Sequence, residues 1–228
     1  MRSKTALPAN PDPSAPIRVL VVDDHQTFAE LLALALQAEP SLSFIGHART
    51  SQEALDLVGR LSPDVVLMDV QLPDVDGLTT TERLLARHPD LRVVVLTAHA
   101  EAALVARAAT VGACGFLSKD GALRDVLQAL RTAHRGGMVI AAHLLAGALR
   151  GEAAEEKPAS PLTSRERDVL RLMSRGADAR TIARELGISV HTCRGYVKSV
   201  LAKLGAHSQL EAVMVAIRLG LLSPAQLS

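Results

Sequence analysis

Short apolar runs and segments of helical periodicity alternate along the first half of the chain. The apolar runs, which have the length of strands, are residues 17–22, 44–47, 65–68, 93–96 and 115–117. Apolar positions recur at helical spacing in residues 28–38, 52–61, 78–87, 101–111 and 123–135. Five strand–helix units in succession predict a parallel α/β sheet with helices on both faces, because each helix returns the chain to the same end of the sheet.

Polar caps and glycines divide the last part of the chain into four predicted helices. The caps are Thr163, Asp178, Ser189 and Ser208. Thr163 and Ser208 are each followed three residues later by a glutamate, which is the capping-box pattern. Gly187 and Gly205 follow the second and third helices, where glycine ends a helix without strain. This part is therefore predicted to be an all-α domain of four helices.

The segments outside these two domains differ from them in composition. Residues 1–15 are rich in proline and contain no apolar segment, so we expect a disordered tail and not a signal peptide. Residues 137–160 are predicted to be a linker, with a helix at 138–149 and an exposed connector after it. The predicted domains are therefore residues 16–136 and 161–228. No apolar run reaches the roughly 18 residues that a membrane span needs, so no membrane partner is expected.

Composition and charge narrow the class of protein. Two cysteines, Cys114 and Cys193, support neither a disulfide framework nor a zinc site, which fits a reducing cytoplasm. Residues 16–136 hold 11 Lys and Arg against 15 Asp and Glu, whereas residues 161–228 hold 10 against 5. The positive excess of the second domain favours nucleic acid as its partner, and a solvated basic surface is the alternative.

Polar side chains stand at the ends of four predicted strands. Asp23 and Asp24 follow the first strand, Asp69 the third, Thr97 the fourth, and Lys119 comes just after the fifth. In a parallel sheet all these ends lie at one edge. Three carboxylates close together repel one another and need a cation, and Mg²⁺ prefers oxygen ligands. The set predicts phosphoryl transfer onto Asp69, which forms an aspartyl-phosphate.

Each of these residues also has an ordinary structural interpretation. Asp69 could bind the following turn, Asp23 could cap a helix, and Thr97 and Lys119 could be turn and surface residues. Residues 74–78 resemble the nucleophile motif of haloacid-dehalogenase-type phosphatases and half of an EF-hand loop. The first lacks an aspartate placed directly on a strand end, and the second lacks usable residues at its first and last positions. Both of these motifs are set aside.

Four segments of the first domain resemble the receiver domain of two-component response regulators: VLVVDDH, VVLMDVQLPDVDG, VVVLTAH and GACGFLSKD. The resemblance implies flavodoxin-like strand order 2-1-3-4-5 and Asp69 as phosphoacceptor. It implies Mg²⁺ held by Asp24, Asp69, the Gln71 carbonyl and, through water, Asp23. It assigns Thr97 and Lys119 to the phosphoryl group and Phe116 to an aromatic switch that turns inward as Thr97 moves. For Phe116, a core position on the last strand is the alternative.

A basic helix is predicted at residues 190–204. Apolar positions, Cys193 among them, share one stripe of this helix, which we expect to face the domain core. His191, Arg194, Gly195 and Lys198 lie largely opposite, and Lys203 also falls in the acid-free stretch from 186 to 210. A short helix, a tight turn at Gly187 and this longer helix form a helix-turn-helix, whose second helix enters the DNA major groove. A redox-sensing role for Cys193 is an alternative to packing.

The second domain resembles the LuxR-type helix-turn-helix through LTSRERDVLRLMSRGADARTIARELGIS, VKSVLAKLG and EAVMVAIRLGL. The whole chain thus resembles a response regulator of the NarL/FixJ family. The resemblance assigns Arg194, Gly195 and Lys198 to DNA-facing positions, although Gly195 is smaller than the residues common there. It assigns residues 209–219 to the helix that forms a homodimer.

The leading hypothesis is a cytoplasmic transcription regulator, not an enzyme, that a sensor histidine kinase phosphorylates on Asp69 and that binds double-stranded DNA as a dimer. An orphan regulator that works without phosphorylation is the second hypothesis. A phosphatase that uses the aspartate cluster is the third. The presence of Lys119 and the absence of a positioned general acid beside Asp69 both argue against it.

Overall fold

The computed structural model describes residues 15–98, 101–140 and 161–223. Six parallel strands form one sheet in the order β2-β1-β3-β4-β5-β6, which confirms the predicted order and adds a strand to it. The strands are β1 (Ile17–Val22), β2 (Leu42–Ala48), β3 (Val65–Asp69), β4 (Arg92–Thr97), β5 (Gly115–Ser118) and β6 (Val139–Ile140). The added strand β6 comes from residues that were predicted to begin the linker. The predicted tail and most of the linker, with nearly all of its helix, lie outside the described residues.

Five helices cover both faces of the sheet: α1 (Gln26–Gln37), α2 (Ser51–Leu61), α3 (Gly77–Arg87), α4 (Ala102–Thr110) and α5 (Leu123–His134). One apolar core joins α1 and α5 to the sheet, and a second joins α2 and α3 to its other face. The middle strand β3 is buried along its whole length because helices lie on both sides of it. We call this unit the α/β domain.

Four more helices form the helical domain: α6 (Ser164–Ser174), α7 (Ala179–Leu186), α8 (Val190–Leu204) and α9 (Gln209–Arg218). Each begins at its predicted cap, whose side chain accepts a hydrogen bond from a backbone N–H three residues later. Gly187 and Gly205 follow α7 and α8 with φ of 64°, in the left-handed conformation that glycine adopts readily. The turn between α7 and α8 is therefore short and defined.

The two domains contact each other through α4 and α9. The Ser208 hydroxyl, at the start of α9, donates to the Ala109 carbonyl at 2.8 Å, and the Gln209 amide donates to the Gly136 carbonyl at 3.1 Å. We call these two bonds the clasp. The Gln209 Oε1 atom is buried without a hydrogen-bond partner in the described part of the chain. An unpaired buried acceptor costs about 1–3 kcal/mol. This oxygen therefore makes the clasped arrangement less stable than one in which every polar atom is hydrogen-bonded.

Two glycines allow the backbones of the domains to approach closely near the clasp. A Cβ atom on Gly137 would lie 2.6 Å from the Gly176 carbonyl oxygen, and one on Gly176 would lie 2.8 Å from the Met138 carbonyl oxygen. Both distances are shorter than van der Waals contact. The contact between the domains at this point therefore depends on glycine at both positions.

In the described residues, no single helix is long and apolar enough to cross a membrane. The two helices α8 and α9 meet the length and composition test only when they are taken together, and they are bent by 51° at the break between them.

Candidate functional site: an acidic pocket and a basic helix

The predicted strand-end residues meet at the carboxyl edge of the sheet. Asp23 follows β1, Asp69 ends β3 and Thr97 ends β4, and each of these side chains is almost fully buried. The Lys119 ammonium lies 2.7 Å from Asp23 Oδ2 and 2.8 Å from Asp69 Oδ2. The Lys119 backbone N–H donates to the Thr97 carbonyl at 2.8 Å. The lysine therefore joins the ends of three strands in one pocket.

Burial and charge act on Asp69 in opposite directions. Burial raises the pKa of Asp69 above its ordinary value, although the hydrogen bond and charge of Lys119 act to lower it. Burial acts to lower the pKa of Lys119, but its hydrogen bonds with Asp23 and Asp69 outweigh this and raise it. The ammonium thus stays charged between the two carboxylates, where it offsets part of their mutual repulsion.

The acidic residues of the pocket fit a divalent cation. Ligand atoms of Asp23, Asp24, His25 and Asp69 all lie within 4.8 Å of one another. His25 Nδ1 lies 2.8 Å from Asp24 Oδ1, and this buried oxygen has no hydrogen-bond partner among the described residues. A carboxylate oxygen that accepts no hydrogen bond, beside two more carboxylates, is part of a set of hard oxygen donors that suits Mg²⁺.

The loop after β3 is held against Asp69 by its own backbone. The Gln71 N–H donates to Asp69 Oδ1 at 3.3 Å, and the Gly77 N–H donates to the Val70 carbonyl at 2.8 Å. A Cβ atom on Gly77 would lie 1.8 Å from the Asp69 carbonyl oxygen, so only glycine fits there. Asp76 caps α3 through the Leu78 N–H. This packing keeps the Gln71 backbone beside the acidic cluster.

The basic helix α8 has the predicted two faces. Cys193, Val200 and Leu204 are buried on the side that packs against α6, α7 and α9. His191, Arg194, Gly195 and Lys198 are exposed on the other side. A Cβ atom on Gly195 would meet nothing within 4 Å, so the backbone is open to close approach there. The exposed side carries the charge and the core side carries none, as a nucleic-acid-binding helix requires.

Comparisons with known proteins cover both domains. Residues 19–131 match the response regulator receiver domain, and residues 160–216 match bacterial regulatory proteins of the luxR family. The chain is 35% identical over 217 residues to the probable transcriptional regulatory protein NarL of Mycobacterium tuberculosis, covering 94% of this chain and 99% of that protein. It is 34% identical over 206 residues to the DNA-binding transcriptional activator DevR/DosR of the same species, covering 89% and 95%. The chain belongs to the NarL/FixJ family of response regulators.

Solved response regulators share the fold. The structure of RcsB from Salmonella enterica serovar Typhimurium, bound to the promoter P1flhDC in the presence of BeF3⁻, has a TM-score of 0.56 at 23% identity and covers 90% of this chain and 100% of that one. The response regulator ChrA of a heme-sensing two-component system has a TM-score of 0.51 at 26% identity, covering 91% and 99%. The chain is thus a DNA-binding response regulator, with the α/β domain as receiver and the helical domain as its LuxR-type helix-turn-helix.

Phe116 is fully buried in the receiver, within the apolar cluster that continues through α4 into the helical domain. This is the place that the core alternative predicts. A buried ring is also the arrangement that the predicted switch reaches once it has turned inward, so the switch role of Phe116 stays a prediction.

Lys203 has a different environment from the other basic residues of α8. Its ammonium lies 2.7 Å from Glu166 Oε2, and Ser199 donates to Glu166 Oε1 at 2.7 Å. Burial alone would raise the pKa of Glu166, which is 4% exposed, but these bonds and those of Thr163 lower it to about 2. Lys203 therefore ties α8 to α6, and its predicted DNA contact stays untested.

Two residues of the pocket were not predicted from the sequence. His25 joins the acidic cluster, and its position directly after Asp24 is the signal that could have indicated this. The Phe28 ring lies 5.1 Å from the Lys119 ammonium, a cation–π contact that an apolar position in a predicted helix does not indicate.

Cys193, in the helical domain, is fully buried, and burial raises the pKa of its thiol. This environment fits a packing role better than redox sensing.

Proposed function

We propose that phosphorylation of Asp69 switches this response regulator between a clasped form and a form that binds DNA. The observation that carries the proposal is the Lys119 ammonium between Asp23 and Asp69, within 2.8 Å of both. A lysine held beside a buried carboxylate neutralises the charge that a phosphoryl group brings. The phosphoryl donor is the phosphohistidine of a sensor kinase, which this protein would meet in the cytoplasm.

The chemistry is a transfer of the phosphoryl group from nitrogen to oxygen. An Asp69 carboxylate oxygen attacks phosphorus, the P–O bond forms, and the P–N bond of the phosphohistidine breaks as its imidazole leaves. Lys119 then binds a phosphoryl oxygen and the Thr97 hydroxyl donates to another. Asp24, Asp69, the Gln71 carbonyl and, through water, Asp23 would hold Mg²⁺, which supplies Lewis-acid stabilisation of the charge that develops on the oxygens.

The signal reaches the helical domain through α4. Thr97 ends β4, and α4 follows it after a short segment. The far end of α4 carries the Ala109 carbonyl, which accepts the clasp bond from Ser208. Movement of Thr97 toward the phosphoryl group shifts α4, strains the clasp and releases α9.

Once the clasp is released, α8 binds DNA and α9 forms the dimer. We assign Arg194 and Lys198 to DNA phosphates, His191 to a base edge and Gly195 to close backbone approach, because all four are exposed on one side of α8. Lys203 positions α8 instead. The helix α9 would join two chains into a dimer, and two copies of α8 then read paired half-sites. In the clasped form α9 lies against α4, so clasping and dimer formation exclude each other.

The test compares Asp69→Asn with the control Asp90→Asn, which removes an exposed carboxylate outside the pocket. With a phosphodonor and Mg²⁺, we expect labelling and tighter DNA binding in the wild type and in the control, and neither in Asp69→Asn. Labelling that persists in Asp69→Asn would refute the phosphoacceptor. DNA binding that is equal in all three proteins, with no labelling, would support the orphan regulator. Rapid turnover of a phosphomonoester would support a phosphatase.

A further inference from the structure

A cleft of about 730 Å³ lies between the receiver and the exposed side of α8. Its volume falls in the range of small-molecule sites, which is roughly 300–1,000 Å³. One wall comes from α3, the start of β4 and the turn after α5, and the other from α8 and the start of α9. Ser208 and Gln209, which form the clasp, line it too. The cleft therefore exists only while the two domains are clasped.

Four positively charged side chains line this cleft from its two sides. Arg92 and Arg135 belong to the receiver, and Arg194 and Lys198 belong to α8. Within the described residues none of the four forms an ion pair, and Glu82 is the single carboxylate of the lining. Clasping brings like charges toward each other, which is unfavourable. An anion in the cleft would turn this repulsion into attraction for both walls.

The apolar residues that line the cleft indicate a second property of its ligand, in addition to negative charge. Apolar side chains from both domains also line the cleft: Leu85, Leu91, Val111, Val197 and Leu201. An apolar lining that also carries four cations suits a ligand with one apolar or aromatic part and one highly charged part, because ligand sites combine mostly apolar walls with a few polar groups that fix the orientation. A simple inorganic anion would leave the apolar lining without a contact.

We propose that this cleft binds a nucleotide-sized organic polyanion with an aromatic or apolar group, and that the bound anion holds the domains in the clasped form. Such a ligand binds one state of the protein and not the other, so it shifts the equilibrium toward the clasped form. It also occupies Arg194 and Lys198. If these residues contact DNA, as proposed above, ligand and DNA oppose each other by the same factor in both directions.

The binding test uses the full unphosphorylated chain in EDTA, with isothermal titration calorimetry. The probe is ATP, with adenosine and inorganic triphosphate as its uncharged and its purely anionic parts. We expect one ATP to bind per chain, and we expect adenosine and inorganic triphosphate each to bind more weakly than ATP. The double variant Arg92→Gln/Arg135→Gln should bind ATP about tenfold or more weakly, because charge-assisted contacts are the strong ones. The matched control is Arg83→Gln on α3, which does not line the cleft.

The receiver-side variants make the test decisive, because neither arginine lies on the helical domain. No saturable binding of ATP, or equal affinity in the wild type and both variants, would overturn the proposal and assign any binding to adsorption on the basic side of α8. Inorganic triphosphate binding as tightly as ATP would refute the role of the apolar lining.

A competition measurement separates this inference from the proposed function. ATP should weaken DNA binding more in the wild type than in Arg92→Gln/Arg135→Gln, and equal weakening would refute the link between the cleft and DNA. If the wild type binds no DNA even with phosphodonor, the proposed DNA contacts fail, while the calorimetry still decides whether the cleft binds an anion.

Discussion

One of the two bonds of the clasp can be broken without removing the helix cap that uses the same side chain. The Ser208 hydroxyl donates to Ala109, and its oxygen accepts from the Glu211 N–H at 3.0 Å. In Ser208→Asp the carboxylate still caps α9, since aspartate caps helices as well as serine does. It cannot donate to the Ala109 carbonyl, and two acceptors would face each other. Leaving a buried acceptor unpaired costs about 1–3 kcal/mol, which changes the ratio of clasped to open protein by roughly 5- to 150-fold.

Small-angle scattering and DNA affinity of the unphosphorylated chain measure this change. We expect Ser208→Asp to be more extended than the wild type and to bind DNA more tightly without phosphodonor, by up to the same factor. The matched control is Thr50→Asp, because Thr50 caps α2 in the same way, with Glu53 three residues later, and lies in the receiver. A Ser208→Asp protein that stays as compact as the wild type, with unchanged DNA affinity, would refute the clasp as the element that restrains α9.

Two further predictions concern the helical domain. Glu166→Gln should destabilise it, because the shift of the Glu166 pKa from 4.5 to about 2 corresponds to about 3 kcal/mol. We expect about 1–2 kcal/mol, since 24% of the Lys203 side chain is exposed and solvent there screens the pair. Since the folded-state pKa is lowered, this contribution is complete above pH 4.5 and disappears as the pH falls toward 2; denaturant unfolding at several pH values measures it, and a difference between the two proteins that does not change with pH would contradict it. Lys198→Glu should weaken binding to all DNA sequences and reduce the slope of log affinity against log salt by roughly one. Arg60→Glu on α2 is the control, and an unchanged slope would remove Lys198 from the interface.

The acidic pocket follows from the sequence because a parallel sheet collects its strand ends at one edge. Asp23, Asp69 and Lys119 are far apart in the chain, but each lies within two residues of the end of an apolar run, and this rule alone brings them together. The helix caps follow for a similar reason, since a cap acts on a backbone N–H only three residues away. Interactions with a local cause or a single topological cause are predictable from one sequence.

The contacts of Lys203 have no such local or topological cause, so the sequence does not predict them. Its partner Glu166 lies 37 residues earlier, where the capping-box pattern already accounts for its carboxylate. Ser208 likewise has a complete role as a cap, and nothing beside it in the sequence signals the second bond to Ala109. The strand β6 has two residues, too few for periodicity to separate it from a linker helix. Each of these depends on how distant elements pack, which a sequence pattern does not contain.

The close approach of the two domains at Gly137 and Gly176 has a genetic consequence. Every amino acid that a single-base change can substitute for glycine carries a Cβ atom, and such an atom would lie 2.6 Å or 2.8 Å from a carbonyl oxygen on the other side of the contact. A missense mutation at either codon is therefore expected to push the two domains apart. Selection for regulators that are active without their signal should recover changes at these positions, which belong neither to the acidic pocket nor to the basic helix α8.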